Sequence, residues 1–215
     1  MRLSSPELLV DITGLPGLSE IVLDKGTVRI GALVTHARLQ VQKHLPLLAE
    51  AAKHVAHPAI RNRGTLGGSL ALADPAAEYP ACAVALQATL VIAGVKGERR
   101  VKAEAFFKGL FETDLEDREI LVAAEFPTGG TSVFLELTRR HGDYAIVGLA
   151  AHQDRFAFFN VGSKPVLVKG NSLAEAKAAL ARVEPPADLY HTSKTKLHLA
   201  GVLLERAWTT LSKPH

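Results

Sequence analysis

Two adjacent glycines, Gly67 and Gly68, stand between the hydroxyl residues Thr65 and Ser69, and the carboxylates Asp74 and Glu78 follow closely. Glycine tolerates positive φ, so this spacing reads as a turn whose bare N–H groups approach an anion or a flat ring. The alternative is a plain turn capped by its flanking hydroxyls. Arg61 and Arg63 flank the stretch; they can neutralise phosphate, stay solvated or pair with nearby carboxylates. His54 and His57 lie three apart and with Asp74 invite a metal reading. Pro58 ends the helix that would align them and no third ligand has a motif spacing, so no metal is expected. No Gly-x-Ser-x-Gly, Walker loop or Gly-x-Gly-x-x-Gly occurs, so neither nucleophilic nor ATP-driven chemistry is indicated, and no catalytic residue is assigned.

The elements that must position these residues can be read in order. Leu8 to Ile12 reads as a short strand, and Glu20–Leu23 with Thr27–Ala32 as a hairpin turning at Asp24-Lys25-Gly26. Thr35 caps a helix running to Lys43, because its hydroxyl satisfies a free first-turn N–H. Pro46 opens a second helix over Leu47–Val55, with Leu47, Leu48, Ala51, Ala52 and Val55 on one face. Asp74 and Pro75 read as N-cap and first position of a small-residue helix from Ala76 to Leu86. Thr89–Ala93 and Arg99–Lys102 form a hairpin, and Ile120–Phe126 is a strand that closes the first domain.

The second half gives strands at Ser132–Leu137, Ala145–His152, Arg155–Val161 and Val166–Val168. Two helices follow, Leu173–Val183 capped by Ser172 and another over about Ser193–Leu211. Antiparallel strands followed by helices make an α+β arrangement.

The whole chain narrows the function classes. At 215 residues it can bury a sizeable core. Lys plus Arg number 25 against 22 Asp plus Glu, and the basic residues are scattered, which argues against nucleic acid. Cys82 is the only cysteine, so a disulfide or a cysteine-ligated iron–sulfur site within the chain is excluded, and a reducing cytoplasm suits it. The most apolar run, Ala81–Val95, is interrupted and shorter than the ~20 residues of a membrane span, so no membrane insertion is expected.

The stretch Ile60-Arg61-Asn62-Arg63-Gly64-Thr65-Leu66-Gly67-Gly68-Ser69-Leu70-Ala71, followed by Asp74-Pro75-Ala76-Ala77-Glu78-Tyr79-Pro80, resembles the second flavin-contacting segment of a known family. That family is the FAD-binding (medium) subunits of molybdenum hydroxylases, which include the flavoproteins of carbon monoxide dehydrogenase, xanthine dehydrogenase and 4-hydroxybenzoyl-CoA reductase. Leu9-Val10-Asp11-Ile12, Ile30-Gly31-Ala32-Leu33-Val34-Thr35-His36, Arg139-Arg140-His141-Gly142-Asp143-Tyr144-Ala145 and Leu197 to Ala207 extend the likeness over nearly the whole chain. Members begin with a βαβ unit whose glycine-rich loop cradles the FAD pyrophosphate, and Met1-Arg2-Leu3-Ser4-Ser5-Pro6 reads as lying beyond that loop. A start codon set too far downstream, a lost half-site, or a loop supplied by another chain each accounts for this.

The resemblance implies a truncated PCMH-type (vanillyl-alcohol-oxidase-like) FAD-binding domain over residues 1–128. A C-terminal α+β domain like that of the carbon monoxide dehydrogenase flavoprotein follows over 129–215. It assigns FAD contacts to Thr65, Leu66, Gly67, Gly68 and Ser69, to Glu78 where relatives often have Asp, to Leu121 in a strand, and to Tyr144 near the isoalloxazine ring. From the residues alone, Glu78 is equally a first-turn helix carboxylate, and Tyr144 and Leu121 equally strand-packing residues. The expected partners are an iron–sulfur subunit and a molybdopterin subunit, with FAD passing electrons to NAD or another acceptor. A flavin-free structural or assembly protein that keeps the fold is the alternative.

Overall fold

The computed structural model describes residues 7–213, so the Met1–Pro6 opening lies outside the described residues. The first strands, β1 (Ile21–Asp24) and β2 (Thr27–Gly31), form the expected hairpin. Its two turn residues, Lys25 and Gly26, both take positive φ, as a two-residue hairpin turn requires. Two helices follow, α1 (His36–Val41) and α2 (Pro46–His54). The Thr35 hydroxyl caps α1 by accepting from the Arg38 N–H. This helix ends two residues earlier than the spacing predicts, because the Gln42 side-chain oxygen accepts from the N–H groups of His44 and Leu45 and closes the turn itself.

The glycine stretch opens the second of three successive helices, α3 (Pro58–Arg61), α4 (Leu66–Leu72) and α5 (Glu78–Ala85). After α5 come the hairpin β3 (Thr89–Gly94) and β4 (Gly97–Lys102), then α6 (Ala103–Phe106) with the small pair β5 (Phe107–Gly109) and β6 (Glu112–Thr113). Strand β7 (Ile120–Pro127) returns to the middle of a five-stranded antiparallel sheet ordered β1-β2-β7-β3-β4.

The remaining strands, β8 (Ser132–Leu137), β9 (Val147–His152), β10 (Arg155–Phe159) and β11 (Val166–Lys169), make a second antiparallel sheet ordered β11-β10-β9-β8. Helices α7 (Leu173–Leu180) and α8 (Ser193–Leu211) complete the chain, capped by the hydroxyls of Ser172 and Thr192.

Alternation along β9 and β10 divides their side chains between two cores. Ala150, Ala157 and Phe159, with Phe134 of β8, join the core that contains α5 and the first sheet. Leu149, Ala151, Phe156 and Phe158 pack with Ala200, Leu203 and Leu204 of α8. Apart from Glu78, every residue of α5 is buried, and its several alanines let it lie close to β9 and β10 of the second sheet. At its far end, buried Arg155 donates to the carbonyls of Ala85 (3.1 Å) and Val84 (2.9 Å) and pairs with Glu104. A cation there satisfies carbonyls that the helix cannot.

Two sequence expectations fail locally. Leu8–Ile12 is not a strand, and Leu8, Leu9 and Val10 are exposed; a strand needs a neighbour, and none pairs with them among the described residues. Asp74 does not cap α5. Its carboxylate accepts from the Ala76 N–H at 2.9 Å, a tight local turn that delays the helix until Glu78.

Candidate functional site

Thr65 to Ser69 is not a left-handed turn but the start of a helix. Thr65 is extended, and its hydroxyl oxygen accepts from the Gly68 N–H at 3.1 Å. The Leu66 and Gly67 N–H groups donate to the carbonyls of Val34 (3.0 Å) and Ala32 (2.8 Å), and the Ser69 N–H to Thr65. These N–H groups are therefore already used, and the expected nest for an anion is absent from the Gly67-Gly68 stretch. Neither glycine has positive φ. A Cβ on Gly67 would lie 2.4 Å from the Ala32 Cβ and 2.8 Å from its Cα, so glycine here permits close approach rather than an unusual turn.

This seating opens one side of α4 to a cleft of about 610 Å³. Thr65, Gly68, Ser69 and Leu72 form its α4 wall. Val55, Ala56, His57 and Ile60 form a second wall, with Asp74, Ala77 and Glu78 at the entry to α5 and Arg63 and Gly64 at the rim. Opposite them lies the loop Gly142–Tyr144, which joins β8 to β9. Gly142 has φ of +88°, and a Cβ there would meet the Ala56 carbonyl oxygen at 2.9 Å, so the loop rests directly on the α2–α3 connection. Tyr144 is 72% exposed at the mouth, and Ile60 and Leu72 also present exposed apolar surface.

The two arginines part company. The Arg61 guanidinium donates to the carbonyls of Val55 (3.0 Å) and Ala56 (2.8 Å), fixing the end of α2, while Arg63 lines the cleft. His54 does not meet His57. Its Nδ1 is 3.0 Å from Glu136 Oε1 on β8, and that hydrogen bond raises its pKa. Among the described residues, no group of three or more His, Cys, Asp and Glu side chains could hold a metal ion.

The cleft floor carries two shifted groups. Burial, reinforced by the charges of Glu136 and Asp74 and opposed by His54 and the Glu78 N–H, pushes the Glu78 carboxyl up to about 7. Burial, and then the charge of Arg61, pushes His36 down to about 4, so its ring is neutral at physiological pH. Its Nδ1 and the hydroxyl of neighbouring Tyr79 are buried without hydrogen-bond partners; the two rings are 5.2 Å apart.

Of the residues assigned from sequence, Thr65, Gly68, Ser69, Glu78 and Tyr144 come together on the cleft. Leu66 and Gly67 are buried beneath it. Leu121 is not brought to it: this side chain is 6% exposed on central strand β7, opposite Ile92 of β3, where it packs in the core. Sequence reasoning missed His36, Ile60 and Leu72 as lining. The signals were present: a histidine directly after a helix-capping threonine, and apolar residues bracketing the glycine stretch.

The chain matches, over residues 1–141, the family described as the FAD binding domain in molybdopterin dehydrogenase. It is 45% identical over 157 residues to the 6-hydroxypseudooxynicotine dehydrogenase complex subunit alpha of Paenarthrobacter nicotinovorans, covering 70% of this chain and 53% of that one. It thus spans about half the length of that relative. With the carbon monoxide dehydrogenase medium chain of Hydrogenophaga pseudoflava it shares 35% identity over 236 aligned residues, covering 96% of this chain and 82% of the other. Its fold is that of a subunit in the crystal structure of quinoline 2-oxidoreductase from Pseudomonas putida 86, with TM-score 0.90 and 36% identity over 98% of this chain and 83% of the other. No helix among the described residues is long and apolar enough to cross a membrane.

Proposed function

The chain belongs to the family of FAD-binding domains of molybdopterin dehydrogenases, and from that premise we propose that it is the flavoprotein subunit of a molybdenum-hydroxylase-type oxidoreductase. The observation that carries this reading is the cleft beside α4. Its volume lies within the ~300–1,000 Å³ usual for small-molecule and cofactor sites. Its make-up fits a flavin: exposed apolar surface from Ile60, Leu72 and Tyr144 suits a planar ring, and hydroxyls on Thr65 and Ser69 suit a polyol chain. Gly68 leaves that wall without a side chain.

On this reading Thr65, Gly68 and Ser69 hold the ribityl side and Tyr144 covers the ring. Glu78 meets a polar edge, and Leu66 and Gly67 support α4 from beneath. FAD supplies the chemistry of accepting electrons singly and passing them on in pairs. The protein binds, orients and shields it. An iron–sulfur subunit delivers the electrons, a molybdopterin subunit oxidises the substrate, and NAD or another acceptor takes the electrons away. Residues 1–128 form the cofactor-binding unit and 129–215 the unit that contributes the Tyr144 loop, in a cytoplasmic complex.

The test is a visible absorption spectrum of the purified chain after incubation with FAD and gel filtration. Near-stoichiometric flavin bands are expected. A colourless protein would refute flavin binding by this chain and favour a scaffold that keeps the fold.

A further inference from the structure

Besides the groups already given a place against the cofactor, the cleft is lined by His36, which is only 6% exposed. Its backbone is clamped to the start of the glycine stretch. The His36 N–H donates to the Gly64 carbonyl at 3.0 Å, Thr35 and Thr65 form an antiparallel bridge, and the Leu66 N–H donates to the Val34 carbonyl at 3.0 Å. Three successive residues on each segment thus fix the imidazole relative to Thr65 and the first turn of α4.

Gly64 decides which edge of that ring stays bare. Its φ is not positive, so the backbone at this position does not itself call for glycine. A Cβ there would stand 2.5 Å from His36 Nε2 and 2.7 Å from Cδ2, so any side chain would crowd that edge of the imidazole. Both residues line the cleft.

The two ring nitrogens differ in what they can reach. Nδ1 is sealed from solvent with no partner. Among the described residues no hydrogen bond reaches Nε2 either, but Nε2 is not sealed, so it is the nitrogen open to the cleft. A neutral imidazole carries one N–H and one lone pair. Buried N–H groups without an acceptor are the rarest of unpaired groups, which assigns the proton to Nε2. The cleft floor therefore holds an uncharged N–H donor, rigidly placed and without an acceptor. A ligand atom that pairs with such a group recovers on binding what the empty cleft forgoes.

Resting on the flavin reading above, we propose that His36 is a further cofactor contact, its Nε2–H donating a hydrogen bond to an acceptor oxygen of the bound flavin nucleotide, with Gly64 leaving that donor uncovered. The contact adds direction without adding charge, unlike anything Arg63 contributes at the rim.

The experiment titrates FAD into the full chain and into His36→Gln, His36→Asn and His36→Leu, and takes urea midpoints of the same chains free of flavin. The glutamine amide reaches the position of Nε2, the asparagine amide stops at that of Nδ1, and leucine has no polar atom. Kd for FAD is expected to rise about 10-fold in His36→Leu and His36→Asn and to stay within about threefold in His36→Gln. The urea midpoint of flavin-free His36→Leu is expected to equal or exceed that of the unaltered chain, because an unpaired buried nitrogen has been removed.

Affinity within about twofold of the unaltered chain in both His36→Leu and His36→Asn would overturn the contact while leaving flavin binding intact. So would equal losses in His36→Asn and His36→Gln, a comparison that stands even if His36→Leu does not fold. A urea midpoint that falls wherever affinity falls would make His36 a packing residue and overturn the contact as well. An unaltered chain that retains no flavin overturns the parent reading and this one together.

Discussion

Alanine at Gly67 and alanine at Gly68 are the same chemical change one residue apart, and the fold demands opposite outcomes. A methyl group at position 67 lands 2.4 Å from the Ala32 Cβ and 2.8 Å from the Ala32 carbonyl oxygen. Ordinary contact begins at 3.4 Å, so the first turn of α4 has to withdraw by about 1 Å, against the hydrogen bonds from Leu66 and Gly67 that hold it in place. Overpacking of this kind costs ~1–3 kcal/mol, and helix propensity returns up to ~1 kcal/mol on going from glycine to alanine. The net loss is about 1–2 kcal/mol, or about 2–8 °C in Tm for a chain of this size.

At position 68 the methyl meets only the Thr65 hydroxyl oxygen, at 3.1 Å. The propensity gain is retained, and stability stays level or rises by about 0.5 kcal/mol. The methyl enters the cleft, however, so Gly68→Ala is expected to weaken FAD binding in a well-folded protein. Urea denaturation of the flavin-free chain and an FAD titration read the two effects separately. Equal destabilisation by both substitutions would refute the helical account of this stretch. A Gly67→Ala chain as stable as the original would refute the close seating on Ala32.

Two further outcomes follow from the same geometry. Tyr144→Ala removes an exposed ring that is offered to the cleft, so stability should stay within about 0.5 kcal/mol while FAD affinity falls; a ring that only packs would give the reverse, and calorimetry with a melting curve tells them apart. For pH, Glu78 is raised from 4.5 to about 7 in the folded chain. The native state then holds the extra proton between those values, and stability declines as pH rises through that window. His36, lowered from 6.5 to about 4, acts oppositely: stability is lost as pH falls through its window. Urea midpoints across about pH 4–8 should therefore show Glu78→Gln removing the decline towards neutrality and His36→Phe removing the loss towards acid; unchanged profiles would contradict both assignments.

Much of the scaffold was legible because its signals are local. Lys25-Gly26 marks the first hairpin, Ser172 marks the start of α7, and the periodic run from Ser193 to Leu211 marks α8. Five residues singled out from the sequence, Thr65, Gly68, Ser69, Glu78 and Tyr144, line one cleft, but the conformation of the stretch was not legible. Whether Gly67-Gly68 turns or coils is decided by the carbonyls of Ala32 and Val34, more than 30 residues upstream, and only the fold puts them within reach. Leu121 was displaced from the site for a similar reason: strand order places β7 in the middle of its sheet, which buries it. The pairing of His54 with Glu136 joins residues 82 apart, and no spacing rule anticipates it.

Helix α5 gives the molecule a mechanical linkage. It is a rod of eight residues, about 12 Å long, with Glu78 at the cleft end and Arg155 of the second sheet gripping its last carbonyls at the other. Close-packed interiors are stiff, so the hold of Arg155 on the last carbonyls bears on the whole length of the rod instead of being absorbed by slack. The position of Glu78 at the cleft therefore depends in part on a residue that lies outside the cleft.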